Sequence, residues 1–281
     1  MQRQAVIESI NSGLIIITGG PGTGKTTTIN TIIKYFESEG ESISLAAPTG
    51  RAAKRMSEAT SYEAKTIHRL LEITPNISEN SNNIGTHFER NEDNPLEADV
   101  LIIDEVSMVD IFLMNALLKA VAVGTRLILV GDINQLPSVG PGTVLKDLIE
   151  SDCFNVVRLN KIYRQSDRSD IVINAHKIMT NEEIDLSKKS NDFIFIKQNN
   201  PDNVTGSVIS LVRDKLPDYV NATSNELQIM TPMRKGPLGV ETLNSFLQRS
   251  LNPSSKQKKE KEYDTAVFRE GDKVMQIKNN Y

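Results

Sequence analysis

The stretch Leu14-Ile15-Ile16-Ile17-Thr18-Gly19-Gly20-Pro21-Gly22-Thr23-Gly24-Lys25-Thr26 decides how the rest of the chain is read. An apolar run of strand length ends in a glycine-rich turn, and Lys25–Phe36 continues with helical spacing. Gly19–Thr26 fits G-x-x-x-x-G-K-[S/T], a pattern that average composition produces in roughly one chain in a hundred of this length. Glycines there let backbone N–H groups face phosphate oxygens, and the following helix N-terminus adds positive potential. Lys25 would reach the β- and γ-phosphates, and the Thr26 hydroxyl would ligate Mg²⁺. Gly20, Gly22, Thr23, Gly24 and Thr27 complete the expected cofactor-binding set, with a nucleotide and Mg²⁺ as ligands. A merely structural glycine loop is the competing reading, and the strand–loop–helix order weighs against it.

Moving outward, Val100-Leu101-Ile102-Ile103-Asp104-Glu105 is a buried strand that delivers Asp104 to its C-terminal end, where α/β sheets bind ligands. Asp104 can hold Mg²⁺, and Glu105 can orient and deprotonate an attacking water. The alternative is a strand ending in an acidic helix cap. Gly131-Asp132-Ile133-Asn134-Gln135 follows the next strand, where Gln135 could touch the γ-phosphate or simply belong to a turn. Ile43–Ala47, Leu127–Val130 and Val156–Leu159 are further strand candidates, separated by amphipathic segments near Arg51–Ala59, Asp110–Val121 and Val144–Glu150. Apolar strands flanked by helices predict an α/β fold around a parallel sheet.

After about residue 160 the rhythm weakens. Ser169–Ile178, Asn203–Asp214 and the end of Lys235–Leu251 predict helices, while Phe193–Ile196, Leu227–Met230 and Lys273–Ile277 predict strands. Asn252–Tyr263 reads as a linker, and polar Thr74–Leu96 as a surface insertion. The length of 281 residues suits two domains of about 140 each. Hydrophobic residues make up 38% and charged residues 24%, which excludes disorder throughout. No apolar run is long enough to span a bilayer, and the first residues carry no secretory signal. One cysteine, Cys153, excludes a disulfide frame, so a cytoplasmic location is expected. Cys153 and Met108 read as core residues, and His87 and His176 lack metal-ligand spacing. The net charge of −4 excludes a blanket basic coat. Arg51, Lys54, Arg55, Lys65 and Arg69 nevertheless cluster, either as a phosphate-contacting patch or as a solvated helix face.

With these motifs in order, the chain resembles superfamily one helicases, and most closely the RecD-like, exodeoxyribonuclease V alpha-subunit family. The stretches that carry the resemblance are Thr18–Thr28, Ala47–Ala53, Thr66–Leu70, Leu101–Met108, Gly131–Gly142, Tyr163–Gln165 and Thr231–Gly236. The resemblance implies ATP-driven 5′ to 3′ movement on single-stranded DNA in repair and recombination, without a membrane role. It implies two RecA-like lobes, 1–155 with a small 1B insertion at about 74–96, and 156–281 as a partial second lobe. It makes Gln2 the adenine reader, Tyr163 a stacking partner of adenine, and Arg164 a γ-phosphate contact. Pro48, Thr49, Arg51, Thr66 and His68 would face DNA, with Ser138, Gly140 and Gly142 lining the strand and Arg234 touching phosphate or strand. A duplex junction and other recombination subunits are the implied partners.

The family's SH3-like 2B insertion and its last motifs, including the arginine finger, are expected beyond Tyr281. A truncated chain that binds ATP without efficient unwinding is the expectation. Three other readings stand beside the helicase: a nucleotide-dependent nucleic-acid-binding module without turnover, a relative acting on RNA, and a metabolite kinase. Asp104-Glu105 with Gln135 suits water attack better than the kinase.

Overall fold

A computed structural model describes residues 1–73, 88–161, 169–188, 190–263 and 266–275. The chain divides into two compact units, Met1–Ile194 and Phe195–Tyr281. The expected boundary at 155/156 instead falls at the start of a strand of the first unit, and its sheet explains why.

In the first unit α1 (Gln2–Asn11) leads into β1 (Leu14–Gly19), the phosphate-loop sequence, and α2 (Lys25–Ser38). β2 (Ile43–Ala47), α3 (Gly50–Thr60), β3 (Ala64–Thr66) and the single turn α4 (Ile67–Leu70) follow. Then come β4 (Val100–Ile103), α5 (Ile111–Ala120), β5 (Arg126–Gly131), α6 (Val144–Glu150), β6 (Asn155–Leu159) and α7 (Asp170–Met179). Among the described residues the strands form a six-stranded parallel sheet in the order β3-β2-β4-β5-β1-β6. β6 pairs along β1 from Ile15↔Asn155 to Gly19↔Leu159, which is why residues 156–159 belong to the first unit rather than opening the second.

The near-continuous apolar strands are explained by burial on both faces. Ile16, Leu101, Ile103, Leu127 and Leu129 face one core with Met114, Leu117 and Leu145. Ile15, Ile17, Val100, Ile102, Ile128 and Val130 face the other with Ile29, Ile33 and Phe36 of α2. Period-two alternation thus splits each strand between two helical layers. Helix starts follow side-chain capping: Thr49, Thr66 and Asp110 each accept a hydrogen bond from a first-turn backbone N–H, at 3.2, 3.1 and 2.8 Å. Replacing Asp110 by alanine is expected to cost about 1 kcal/mol, read as a lower urea midpoint at unchanged slope.

Two residues expected in the core lie elsewhere. Met108 is 44% exposed because the 3₁₀ turn Val106–Met108 buries Val106 and turns Met108 outward. Cys153 sits in the exposed connection between α6 and β6. The polar excursion leaves and returns at one point: Ile73 and Phe88 form an isolated antiparallel bridge, and the Glu89 N–H donates to the Glu72 carbonyl at 2.9 Å. Residues 74–87, including His87, lie outside the described residues. Leu96 belongs to the core rather than the excursion, donating from its N–H to the Ala120 carbonyl at 2.7 Å.

The second unit is different in kind. α8 (Pro201–Ser210) runs through a π-helical turn at Leu211–Lys215 into α9 (Leu216–Val220), followed by α10 (Val240–Leu251) and the antiparallel ribbon of β7 (Glu260–Tyr263) with β8 (Ala266–Arg269). Its core is small, built on Val212, Leu243 and Leu247. The strands expected at 193–196 and 227–230 are irregular backbone, and so is the described part of 273–277. They are exposed or half-buried, so no paired strands cover their apolar side chains. The expected linker ends as β7, where Arg269 pairs with Glu260 at 2.6 Å. No parallel sheet is found in this unit among the described residues.

Candidate nucleotide site and nucleic-acid face

Because every strand of the sheet is parallel, all the C-terminal ends lie on one edge, and the strand order sorts the candidate residues there. Thr18 of β1 is opposite Gly131 of β5, and Ile103 of β4 is opposite Leu129 of β5. The phosphate loop, the Gly131–Gln135 turn and Asp104-Glu105 therefore leave three adjacent strands in the middle. The segments at Pro48-Thr49 and Thr66–His68 leave β2 and β3 at one side. On the other side of β1, Leu159-Asn160-Lys161 leaves β6.

The phosphate loop is held from within. Gly24 has φ 85°, a left-handed backbone that places α2 directly after it and that side chains resist. The buried Thr23 hydroxyl donates to the Gly20 carbonyl at 2.8 Å, which closes the turn. Lys25 donates through Nζ to the Gly19 and Gly20 carbonyls at 2.5 and 3.2 Å, so its ammonium lies over the loop's own oxygens. Gln2 donates to the Thr23 and Gly24 carbonyls, both at 3.3 Å, bringing α1 against the loop. Beside it opens a cavity of about 410 Å³ lined by Met1, Gln2, Thr23, Leu159, Asn160 and Lys161, within the size range of small-molecule sites. Gln2 was expected at such a place. Leu159, Asn160 and Lys161 were not, because only the β6–β1 pairing brings them there.

Asp104 ends β4 with its Oδ1 accepting the Glu105 N–H at 2.9 Å. Burial pushes its carboxyl up to about 6, against a lowering by that hydrogen bond and by Lys25. Glu105 has φ 55°, an uncommon conformation for a non-glycine residue, and its Oε2 is buried without a partner among the described residues. Gln135 is exposed at the tip of a turn organised by buried Asp132, whose Oδ1 accepts the Asn134 N–H at 3.0 Å. The turn is tied to β1 by the Ile133 N–H, which donates to the Thr18 hydroxyl at 3.3 Å. Thr26 and Thr27 are exposed at the start of α2.

The residues expected to face nucleic acid separate into two kinds. Thr49 and Thr66 cap helices, Arg51 is exposed, and His68 lies with its ring 6.0 Å from that of Phe88. Pro48 joins β2 to the Thr49 cap. Ser138, Gly140 and Gly142 instead make a tight turn: the Ser138 hydroxyl donates to the Gly140 and Gly142 carbonyls at 2.9 and 3.1 Å. A Cβ at Gly140 would stand 2.1 Å from Asp110 Oδ2, so that glycine is required by the start of α5. Arg234 belongs to the second unit, mostly exposed and 3.3 Å from Glu241. Tyr163, Arg164 and Gln165 lie outside the described residues.

His176 of α7 was not anticipated. Its ring packs on Gly20, and its Nε2 is buried without a partner among the described residues. Nothing in the sequence signals a contact between positions 156 residues apart.

A glycine loop with an inward lysine, a following helix, two acids at the next-but-one strand end and a base-sized cavity define a P-loop nucleotide-binding protein. Family profiles carry this further: an AAA domain matches residues 2–141, and the SH3 domain of ATP-dependent RecD-like DNA helicases matches residues 243–281. The chain is 38% identical over 268 residues to the ATP-dependent RecD2 DNA helicase of Deinococcus radiodurans, covering 95% of this chain and 34% of that protein. It is 40% identical over 172 residues to the RecBCD enzyme subunit RecD of Mycolicibacterium smegmatis, covering 53% of this chain and 30% of that one. Among solved structures, Bacteroides Pif1 bound to single-stranded DNA aligns at 22% identity over 76% of this chain and 55% of its own, with a TM-score of 0.44. The chain belongs to the RecD-like helicase family, and it spans about a third of the length of the curated relatives it matches. The SH3 match corrects one expectation: that element was placed beyond Tyr281, whereas the matched residues include part of α10 and the β7–β8 ribbon.

Proposed function

We propose that the first unit is an ATP-hydrolysing motor domain of a DNA helicase that moves along single-stranded DNA, 5′ to 3′ as the resemblance implies. The observation that carries this is the adjacency of Lys25, Asp104-Glu105 and Gln135 at the ends of β1, β4 and β5. Adenine occupies the cavity beside Gln2, the resemblance gives Tyr163 the role of stacking on it, and Gly20, Gly22, Thr23 and Gly24 turn backbone donors toward the phosphates. Lys25 leaves the loop carbonyls for the phosphate oxygens, because charge-assisted contacts to an anion are stronger than those to neutral carbonyls. Thr26 and Asp104 offer a hydroxyl and a carboxylate, an oxygen donor set that suits Mg²⁺ held jointly with phosphates and water. Asp104, desolvated and raised to about 6, gains when a cation approaches. Magnesium would supply charge neutralisation on the phosphates.

Glu105 aims a carboxylate oxygen at the attacking water, Gln135 contacts the γ-phosphate, and the resemblance gives Arg164 a γ-phosphate contact. Pro48, Thr49, Arg51, Thr66 and His68 form the strand-facing side, while Ser138, Gly140 and Gly142 shape the turn between the two. For Arg234 the resemblance implies a contact to phosphate or to the strand. Single-stranded DNA, a duplex junction and recombination subunits are the partners, and the cytoplasm is the location. Among the described residues no helix is long and apolar enough to cross a membrane.

The test is steady-state ATP hydrolysis by the 281-residue chain, with and without single-stranded DNA or RNA of the same sequence. Turnover that rises with DNA and disappears in Lys25→Ala is the expected result. Turnover indifferent to DNA, or stimulated by RNA alone, would overturn the DNA motor. Lys25-dependent binding without turnover favours the binding-module reading.

A further inference from the structure

The phosphate loop has a neighbour that no motif predicts. α7 lays the His176 imidazole on the open face of Gly20: a Cβ built there would lie 3.4 Å from His176 Cε1 and 3.8 Å from Nε2. Nε2 is fully buried yet meets no hydrogen-bond partner among the described residues. Most buried polar atoms are partnered, and an orphaned one carries a desolvation cost that an apolar residue of similar size would avoid. If α7 served only to pack on the loop, no nitrogen would be needed there. Gly20 is also held by Lys25, whose ammonium takes the Gly19 and Gly20 carbonyls. An ammonium and an orphaned imidazole nitrogen therefore adjoin the same loop residue, and the lysine of this motif serves the β- and γ-phosphates.

We propose that His176 is a polyphosphate contact, its Nε2–H donating to a β- or γ-phosphate oxygen of the bound nucleoside triphosphate. The inference rests on the ATP-binding reading of the loop. A histidine suits this place because neutral imidazole with the proton on Nε2 and imidazolium both donate from that atom. The nitrogen gains its partner only when phosphate is present, which turns a cost of the free protein into affinity for the ligand. It also ties α7 to the phosphate-bearing state.

The experiment is calorimetric titration of the whole chain with a non-hydrolysable ATP analogue and with AMP, which lacks both outer phosphates. His176→Ala is expected to weaken the analogue about tenfold, the loss of one hydrogen bond to a charged group, and to leave AMP unchanged. His176→Gln, which keeps an N–H donor, is expected to restore most of the affinity. The chain has three histidines, so imaging their imidazole nitrogens by ¹H–¹⁵N NMR gives a readout independent of the variants' folding. One Nε2 resonance, absent in His176→Gln, should shift with the analogue and not with AMP. Wild-type affinity in His176→Ala, or no such shift, overturns the contact while Lys25→Ala still abolishes binding. Absence of any Lys25-dependent binding overturns the ATP-site reading itself, and the contact with it.

Discussion

Replacing Glu105 by glutamine lowers nucleotide turnover by about 10²–10⁴-fold and leaves nucleotide affinity close to that of the unaltered chain. The geometry behind this expectation is specific. Glu105 begins the turn after β4 in a left-handed conformation, φ 55°, and one carboxylate oxygen is buried without a partner among the described residues. A residue held this way at a strand end is positioned by its surroundings at an energetic cost, which points to use rather than packing. Glutamine preserves the side chain's length and one oxygen but cannot accept a proton at neutral pH. Binding, which rests on the loop donors, Lys25 and the Gln2 cavity, should not notice. The measurement is single-turnover hydrolysis beside direct titration with an ATP analogue. A variant that hydrolyses normally would remove Glu105 from the role of base, and one that no longer binds would mean the residue shapes the loop instead.

How much of this site could be read in the sequence depends on whether its parts are local. The phosphate loop is contiguous, so eight residues and the flanking periodicities sufficed to place it between β1 and α2. Asp104 and Glu105 were legible because a four-residue apolar strand, Val100–Ile103, must end somewhere and ends at two acids. The limits of β2 and α6 also coincide with the expected ones, since β2 runs between Ser42 and a proline, Pro48, and α6 between Thr143 and Ser151. What could not be read was lateral. β3 has three half-buried residues, Ala64–Thr66, too short a stretch for alternation to register. The strand order that brings Leu159 and Lys161 beside Gln2, and the packing that lays His176 on Gly20, are tertiary facts with no local pattern. Met108 and Cys153 misled for the same reason: an apolar residue in a short turn says nothing of which way the turn faces. Farther along the chain, apolar runs such as Phe193–Ile196 and Leu227–Met230 resemble strands but, among the described residues, lack neighbouring strands that would pair with them.

Asp104→Asn should make the ligand-free chain more stable at pH 8, by up to roughly 3 kcal/mol, and should make no difference near pH 3. Burial is the main reason the Asp104 carboxyl is raised from 3.8 to about 6, Glu105 adding to it while the Glu105 N–H and Lys25 oppose it. The native state thus holds a proton more tightly than the unfolded chain does. Between the unfolded value and about 6 the native side chain is protonated while the unfolded one is not, so stability declines as pH rises through that window and stays reduced above it. Asparagine never ionises, and its oxygen still accepts the Glu105 N–H, so the variant escapes the decline. Thermal unfolding at a series of pH values reads this directly: the two curves should coincide in acid and separate between pH 4 and 6. Equal melting at pH 8 would mean that the carboxylate is already solvated. Magnesium and an ATP analogue should then reverse the ranking, because the native aspartate recovers in cation attraction what it lost in desolvation, while the amide gains little. A destabilised free protein and a strongly stabilised loaded one are two measures of the same buried charge, which is how a site gives up stability to bind its ligand.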